Sequence, residues 1–378
     1  MKSASSTIGL YIHIPFCWQK CPYCAFYSVP IDTASPSRLI DAIFAELDLF
    51  AVTEPVETIY IGGGSPTCLP QDVLTGLVSG LNTRFGSVKE FTIECNPAQA
   101  DEATLRQLRA FGVNRLSIGA QSFNARELKT LGRIHSPRQI IEAVRVGKKS
   151  GFENIGLDLM FGIPGSSMKT WRHSLKSAVS LKVQHISAYS LTIEKLTPFA
   201  RAVRQGELVL LDEATEREMC KAGRVLLRNA GFQQYEISNF AKPGFECRHN
   251  LRYWKNLPVI GIGPAAASWY DGKRAANVAD LAKYIKRIES GRSAQSEAYI
   301  PSPKQIASES AVLGLRMAGG IDARQYQRQT GFNLVRLFAD AIKKHSYNGL
   351  LECTADDRCR LTEKGLSYAD TVAADFVL

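Results

Sequence analysis

Cys17, Cys21 and Cys24 fall in one short run, Tyr11-Ile-His-Ile-Pro-Phe-Cys17-Trp-Gln-Lys-Cys21-Pro-Tyr-Cys24. The Cys-x3-Cys-x2-Cys spacing puts three thiolates in a single loop and supplies no fourth. A cubane [4Fe-4S] cluster ordinarily takes four cysteine ligands. Held by three, it keeps one iron with an open position, as a catalytic metal site does. Such an iron can chelate a small molecule through an amino and a carboxylate group. Two other readings stand beside this one: a three-thiolate zinc site, and three unrelated core cysteines. Zinc asks for a fourth ligand and usually for a second ligand pair farther along the chain.

Other residues that could do chemistry follow at intervals. Gly62-Gly63-Gly64-Ser65-Pro66 can bring bare backbone close to a ligand, or simply turn tightly. No Gly-Lys-Ser/Thr follows it, which excludes a nucleotide P-loop. Glu94, in Glu94-Cys95-Asn96-Pro97, can accept hydrogen bonds from a ribose or amino group, or cap the next helix. Gln121 lies in Gly119-Ala120-Gln121-Ser122-Phe123, and Arg133 comes twelve residues later. Asp158 interrupts an apolar run, which is costly unless it is paired or functional. Taken singly, each of Glu94, Gln121, Arg133 and Asp158 has a structural reading; together they form a polar ring suited to a nucleoside.

These residues need a scaffold, and the chain reads as repeated strand–helix units. Strands are expected at Ile8–Ile14, Thr58–Gly62, Phe91–Cys95, Arg115–Gly119, Asn154–Met160 and His185–Leu191. Amphipathic helices are expected at Ser37–Phe50, Gln71–Arg84, Glu102–Phe111, Arg138–Lys149 and Met168–Leu181, several opened by Ser-Pro or Asn-Pro start signals. This alternation predicts an α/β fold with a parallel sheet. Six units do not complete an eight-stranded closure, so a partial, open (β/α) barrel is expected, with its site beyond the carboxyl ends of the strands. Farther on, a helix is expected at Asp212–Asn229 and a further strand at Phe232–Ser238. Pro301-Ser302-Pro303 marks a linker. Beyond it, helices at Gln305–Met317, Ala323–Gln329 and Leu334–Lys344 and a hairpin across Leu350–Leu361 predict a small, mostly helical, winged-helix-like C-terminal domain.

Length and composition suit this architecture. The 378 residues are 45% hydrophobic and 22% charged, as in an ordinary globular protein. No apolar run approaches the ~20 residues needed to span a membrane, which leaves only peripheral membrane contact open. The N-terminal run leads within a few residues into a strand, leaving no room for a signal peptide. Nine cysteines, three of them clustered, suit a reducing compartment, hence the cytoplasm. Cys68 and Cys95 read as buried small hydrophobes, and Cys220, Cys353 and Cys359 as structural. A net charge of +10 can attract an anionic ligand, but without long blocks of like charge it reads first as a basic-biased solvated surface. Residues 301–378 carry 10 basic and 9 acidic side chains, so no nucleic-acid partner is expected and a lid or docking surface is the reading for this domain.

The run Tyr11–Cys24, the Gly62–Pro66 turn, Glu94-x-Asn96-Pro97, Gln121-Ser122-Phe123, Leu131-Gly132-Arg133 and Asp158…Gly162-x-Pro164-Gly165 resemble the oxygen-independent coproporphyrinogen III dehydrogenase superfamily of radical S-adenosylmethionine (SAM) proteins. Leu313-Gly-Leu-Arg316…Gly320-Ile321-Asp322 resembles that superfamily's C-terminal domain, so the likeness covers nearly the whole chain. It implies a radical SAM core over 1–240, a connecting segment over 241–300 and the C-terminal domain over 301–378. It further implies a [4Fe-4S] cluster on Cys17, Cys21 and Cys24, with SAM among Tyr11, Tyr23, Gly64, Ser65, Glu94, Gln121, Arg133 and Asp158. The superfamily has two main branches, the dehydrogenases and the HemW-type heme chaperones. Phe26 stands where dehydrogenases carry a further cysteine, Asn96 and Ser122 depart from their Asp-Pro and Gln-Asp-Phe, and their longer N-terminal arm is missing. Cys247-Arg-His249-Asn250-Leu-Arg-Tyr253-Trp254 matches the His-Asn-x-x-Tyr-Trp motif of the HemW branch. That likeness implies heme as a ligand, His249 as a heme ligand and an unidentified heme-acceptor protein as partner. Without it, the same residues read as a satisfied histidine with two core aromatics. Ala267 and Leu196 depart from the branch pattern.

Overall fold

The computed structural model describes residues 7–354 and 356–378. The N-terminal run read as too short for a signal peptide, residues 1–6, lies outside the described residues. Six strands alternate with helices: β1 (Ile8–Ile14), β2 (Val56–Gly63), β3 (Glu90–Cys95), β4 (Arg115–Gln121), β5 (Asn154–Phe161) and β6 (His185–Ser190). The helices between them are α1 (Pro36–Phe50), α2 (Gln71–Phe85), α3 (Glu102–Ala110), α4 (Ala125–Thr130), α5 (Pro137–Lys149) and α6 (Met168–Ser180). All five neighbouring strand pairs are parallel and in chain order, giving the expected partial barrel.

The two faces of this sheet differ in kind. Ile59 and Ile61 of β2, Phe91 and Ile93 of β3, Leu116 and Ile118 of β4, and Ile155, Leu157 and Leu159 of β5 belong to one buried apolar cluster with the helices. Helix α5 meets it with Ile140, Ala143, Val144 and Gly147, an i, i+3, i+4, i+7 stripe. A Ser136–Gln139 capping box and Pro137 in its first turn set its start. The alternate positions face the barrel interior and are mostly polar: Thr58 and Tyr60, Glu90 and Glu94, Arg115 and Ser117, Asp158, His185 and Ser187. A period of two thus separates a greasy outer layer from a polar lumen.

The sheet then extends beyond the six units. After α7 (Pro198–Arg204) and α8 (Glu213–Asn229), the hairpin β7 (Gln233–Glu236) and β8 (Asn239–Ala241) adds antiparallel strands beside β6. The expected strand at Phe232–Ser238 is therefore shorter and is one arm of a hairpin. Residues 241–300, read as a connection, join the same sheet. Helix α9 (Arg248–Trp254) leads to β9 (Val259–Ile262), which pairs parallel with β1 on its free side. Next, β10 (Ala267–Tyr270), β11 (Lys273–Asn277), helix α10 (Leu281–Glu289) and β12 (Gln295–Tyr299) carry the sheet to its far edge; the strand order is β12-β11-β10-β9-β1-β2-β3-β4-β5-β6-β8-β7. Glu46 of α1 ties this edge down, accepting from Gly263 N at 2.9 Å, Asn277 Nδ2 at 2.6 Å and Tyr284 Oη at 2.7 Å.

The C-terminal unit has its own apolar core. It comprises α11 (Pro303–Leu315), α12 (Ala323–Thr330), α13 (Leu334–Leu337), α14 (Ala339–Tyr347) and α15 (Ala369–Ala374), with a three-stranded sheet of β13 (Ile321–Asp322), β14 (Leu351–Cys353) and β15 (Arg358–Leu361). The helix expected over Leu334–Lys344 breaks at Phe338, whose backbone leaves helical angles while its ring turns inward onto Phe376, centroids 4.8 Å apart. Cys353 and Cys359 form a disulfide across the hairpin. No helix among the described residues is long and apolar enough to cross a membrane.

Candidate functional site

A cavity of about 640 Å³ opens at the carboxyl ends of β2 to β6, and the three clustered cysteines line it. Cys17 ends a two-residue strand, Phe16–Cys17, that pairs with Val29–Pro30 and ties both ends of the loop together. Ser65 N donates to Phe16 O at 2.7 Å and Gly64 N to Ile14 O at 2.8 Å, so the glycine turn buttresses the cysteine loop. A Cβ on Gly64 would lie 2.4 Å from Phe16 O, which only a glycine avoids. Burial holds the Cys17 thiol up at about 11 and also raises Cys24. Ligation to iron deprotonates such thiols outright.

The donor set suits a cluster, since three thiols in one loop can each take a separate iron of a cubane and leave the fourth iron open. A cubane takes each thiolate on a separate iron and so accepts ligands spread around a loop. Zinc needs all its ligands within about 2.3 Å of one point.

Glu94 stands at the mouth of β3 and accepts from Tyr60 Oη at 2.9 Å and Gly63 N at 3.1 Å. A Cβ on Gly62 would sit 2.8 Å from its carboxyl carbon, so that glycine makes room for the acid. Burial holds Glu94 up at about 7 despite these donors, with the Asp158 charge adding to the rise. Asp158 on β5 accepts from Ser187 Oγ at 2.6 Å and Ser117 Oγ at 3.2 Å; burial raises it too. Arg133 donates from Nη1 to Cys21 Sγ at 3.7 Å and from Nη2 to Gly119 O at 2.9 Å. Its Nε is buried without a partner, an open donor beside the cysteine loop suited to a ligand carboxylate. Gln121 takes a left-handed backbone angle, φ 61°, at a register slip that ends β4. That costly conformation leaves its amide oxygen accepting from Tyr189 Oη at 2.8 Å.

The cavity thus gathers Cys17, Cys21, Cys24, Tyr23, Gly64, Ser65, Glu94, Gln121, Arg133 and Asp158. The Ser65 hydroxyl donates to Gln99 Oε1 at 2.6 Å, which leaves its lone pairs and its backbone for a ligand. Tyr11 does not line the cavity. It points into the lumen beneath and shares a 3.0 Å hydrogen bond with His13 Nδ1. Strand periodicity puts it one layer below the mouth.

His249 departs furthest from expectation. It is 1% exposed, lies outside the cavity lining, and has both ring nitrogens engaged, by Thr58 Oγ1 at 2.9 Å and Tyr253 Oη at 3.3 Å. Burial and nearby arginines push it down to about 3, so it stays neutral. Cys247 is fully buried and donates to Glu90. Glu90 also takes the first backbone N–H groups of α9, Arg248 at 2.8 Å and His249 at 2.9 Å, where a helix start favours an anion. The His-Asn-x-x-Tyr-Trp segment thus packs against β2 and β3 with its histidine hydrogen-bonded at both ring nitrogens. The aromatic wall at the site was not singled out from the sequence: Tyr60 and Tyr189 are cavity residues that a strict period-two reading of β2 and β6 identifies.

Residues 11–178 match the Radical SAM superfamily, and residues 302–368 match the HemN C-terminal domain. A heme chaperone HemW from Bacillus subtilis is 35% identical over 384 aligned positions, spanning 100% of this chain and 99% of that one. The chain belongs to the HemW family of radical SAM proteins. The heme chaperone HemW of Lactococcus lactis is 32% identical, with 97% of each chain covered, and that of Escherichia coli 39% identical, with 68% of this chain and 69% of that one covered. Coproporphyrinogen III oxidase HemN from Escherichia coli, a solved radical SAM enzyme, superposes with a TM-score of 0.85 at 21% identity, covering 100% of this chain and 90% of that one. That likeness shows the shared fold. Membership of the radical SAM superfamily implies a [4Fe-4S] cluster and SAM for HemW-family chains.

Proposed function

We propose that this protein binds heme and passes it to an acceptor protein, and that it carries a [4Fe-4S] cluster on Cys17, Cys21 and Cys24 with SAM beside it. The observation that carries the reading is the cavity. It joins three thiols, the unpaired Arg133 Nε and two carboxyl groups in a chain whose full-length relatives are named heme chaperones. When bound, the cluster supplies an open iron and, on reduction, the electron that splits SAM. The chain's own part is positional. Arg133 offers a donor to the SAM carboxylate, ionised Glu94 accepts from its amino group or ribose, and Asp158 holds a second acceptor opposite. Gly64 and Ser65 bring backbone to its edge, and Tyr23 and Gln121 wall the pocket.

The reading places the protein in a reducing, cytoplasmic setting, in keeping with its seven free cysteines among the described residues and set against the single Cys353–Cys359 pair. The C-terminal unit, residues 301–378, serves as a lid or docking surface for the acceptor rather than a nucleic-acid reader. It meets the core through Arg316, which stacks on Trp254 at 4.6 Å and faces buried Glu236 at 3.7 Å. The test is transfer. Protein reconstituted anaerobically and loaded with heme is mixed with a heme-free apoprotein, and the Soret band should migrate to the acceptor. No binding of heme by the reconstituted protein, or no release, contradicts the proposal.

A further inference from the structure

Apart from the buried His249, an apolar surface lies exposed at the cavity mouth. Trp18 is 53% exposed, Phe26 68% and Ile134 42%, and all three line the opening of the same cavity. Their places are tied to the cysteine loop. Trp18 follows Cys17, Phe26 stands two residues past Cys24, and Ile134 follows Arg133, whose guanidinium donates to Cys21. Lys20 Nζ reaches across the loop to Phe26 O at 3.2 Å and puts a cation on the same rim. Beneath it the cavity carries the polar groups of Glu94, Ser117 and Asp158. Grouped exposed side chains of this size around an opening mark a binding surface rather than ordinary solvated surface.

We infer that Trp18, Phe26 and Ile134 form a platform on which an iron porphyrin lies flat across the mouth of the cluster cavity, its carboxylate edge toward Lys20. The inference rests on the chaperone reading and assigns that reading a site. The occupant is a porphyrin because the rim offers aromatic and aliphatic faces to a flat apolar plate, with a cation at the edge to meet an acid. A SAM molecule, charged throughout its polar end, suits the pocket beneath instead. Stacked in this order, heme closes the route by which SAM leaves.

The test uses full-length protein reconstituted with cluster and SAM, titrated with hemin and followed by difference absorbance. Trp18→Ser, Phe26→Ser and Ile134→Ser should each weaken heme binding about five- to tenfold, and the triple variant at least about a hundredfold, judged from the apolar area each withholds. Tyr347→Ser removes an aromatic that is 93% exposed on the C-terminal unit and should change nothing. A second measurement needs no variant: radiolabelled SAM should leave the heme-loaded wild-type protein at least about fivefold more slowly than the heme-free one. Wild-type heme affinity in the triple variant, or SAM release unaffected by heme, overturns the platform while leaving the chaperone reading standing. A wild-type protein that takes up no heme at all overturns both.

Discussion

Glu94 gives the sharpest quantitative handle on the site. Its carboxyl is held at about 7 where an ordinary glutamate sits at 4.5, so ionising it in the empty cavity costs about 3 kcal/mol more than in water. SAM brings N–H and O–H donors, on its iron-bound amino group and its ribose, and such donors need the carboxylate rather than the acid. At pH 6 about a tenth of the empty protein has Glu94 ionised, and at pH 7.5 about three quarters. The apparent affinity scales with the competent fraction, so SAM should bind about eightfold more tightly at pH 7.5 than at pH 6. Ionising Glu94 should add about 0.9 proton to what binding at pH 6 releases. Titration calorimetry in two buffers of different ionisation enthalpy measures both quantities on the cluster-loaded protein. The sign is fixed: affinity falls as pH drops through about 7. Glu94→Gln, which cannot ionise, should bind SAM more weakly and lack Glu94's share of the slope and of the proton release, keeping only what the ligand's own amino group contributes. A pH-independent affinity between 6 and 7.5 in the wild type, with no proton released, refutes the assignment of Glu94 as a ligand-facing acceptor.

Other outcomes follow from the same geometry. Replacing any of Cys17, Cys21 or Cys24 with Ala should abolish the iron–sulfur absorbance and bound iron, whereas Cys68→Ala and Cys95→Ala, in buried positions off the loop, should retain both. Asp158→Ala or Arg133→Ala should weaken SAM binding about tenfold or more while iron content stays at the wild-type level. Calorimetry and iron analysis on the same preparations decide this, since these side chains act on the ligand. His249→Ala removes both of its buried hydrogen bonds and should lower stability by about 2–4 kcal/mol in denaturant melts, with heme affinity within about twofold of wild type. Because burial holds His249 neutral down to about 3, its contribution to stability is lost as pH falls below its ordinary 6.5, and His249→Gln should flatten part of that acid slope.

How far the sequence reaches depends on the element. The six barrel strands and their helices were legible because each is a long apolar run with clear start signals; β5, Asn154–Phe161, is buried nearly throughout and α5 opens on Ser136-Pro137. The cysteine loop stood out by its spacing, and it is membership of the radical SAM superfamily that favours a cluster over zinc or core cysteines. Strands β11 and β12 were not, because Lys273–Asn277 and Gln295–Tyr299 sit at a solvated sheet edge and carry mixed polar residues with little periodic signal. The role of β9 was hidden for another reason: its parallel pairing with β1 joins residues some 250 positions apart, which no local pattern reports. His249 shows the converse. A motif match singled it out, yet its fate was decided by tertiary partners, Thr58 on β2 and Glu90 on β3, that sequence spacing does not connect to α9. Glu94 and Asp158 stood out because one sits at a strand end and the other breaks an apolar run, whereas Arg133, in the turn between α4 and α5, stood out through the Leu131-Gly132-Arg133 resemblance. Tyr60 and Tyr189 were missed because aromatics in strands ordinarily signal core.

The measurement that tests the central claim most directly puts heme and coproporphyrinogen III to one anaerobically reconstituted sample containing SAM and a reductant. The expected result is saturable heme binding at one dominant site, with no conversion of coproporphyrinogen III to its divinyl product. Decarboxylation at enzyme-like rates, with no saturable heme site, would contradict a heme chaperone and mark the protein as an oxidoreductase of porphyrin synthesis.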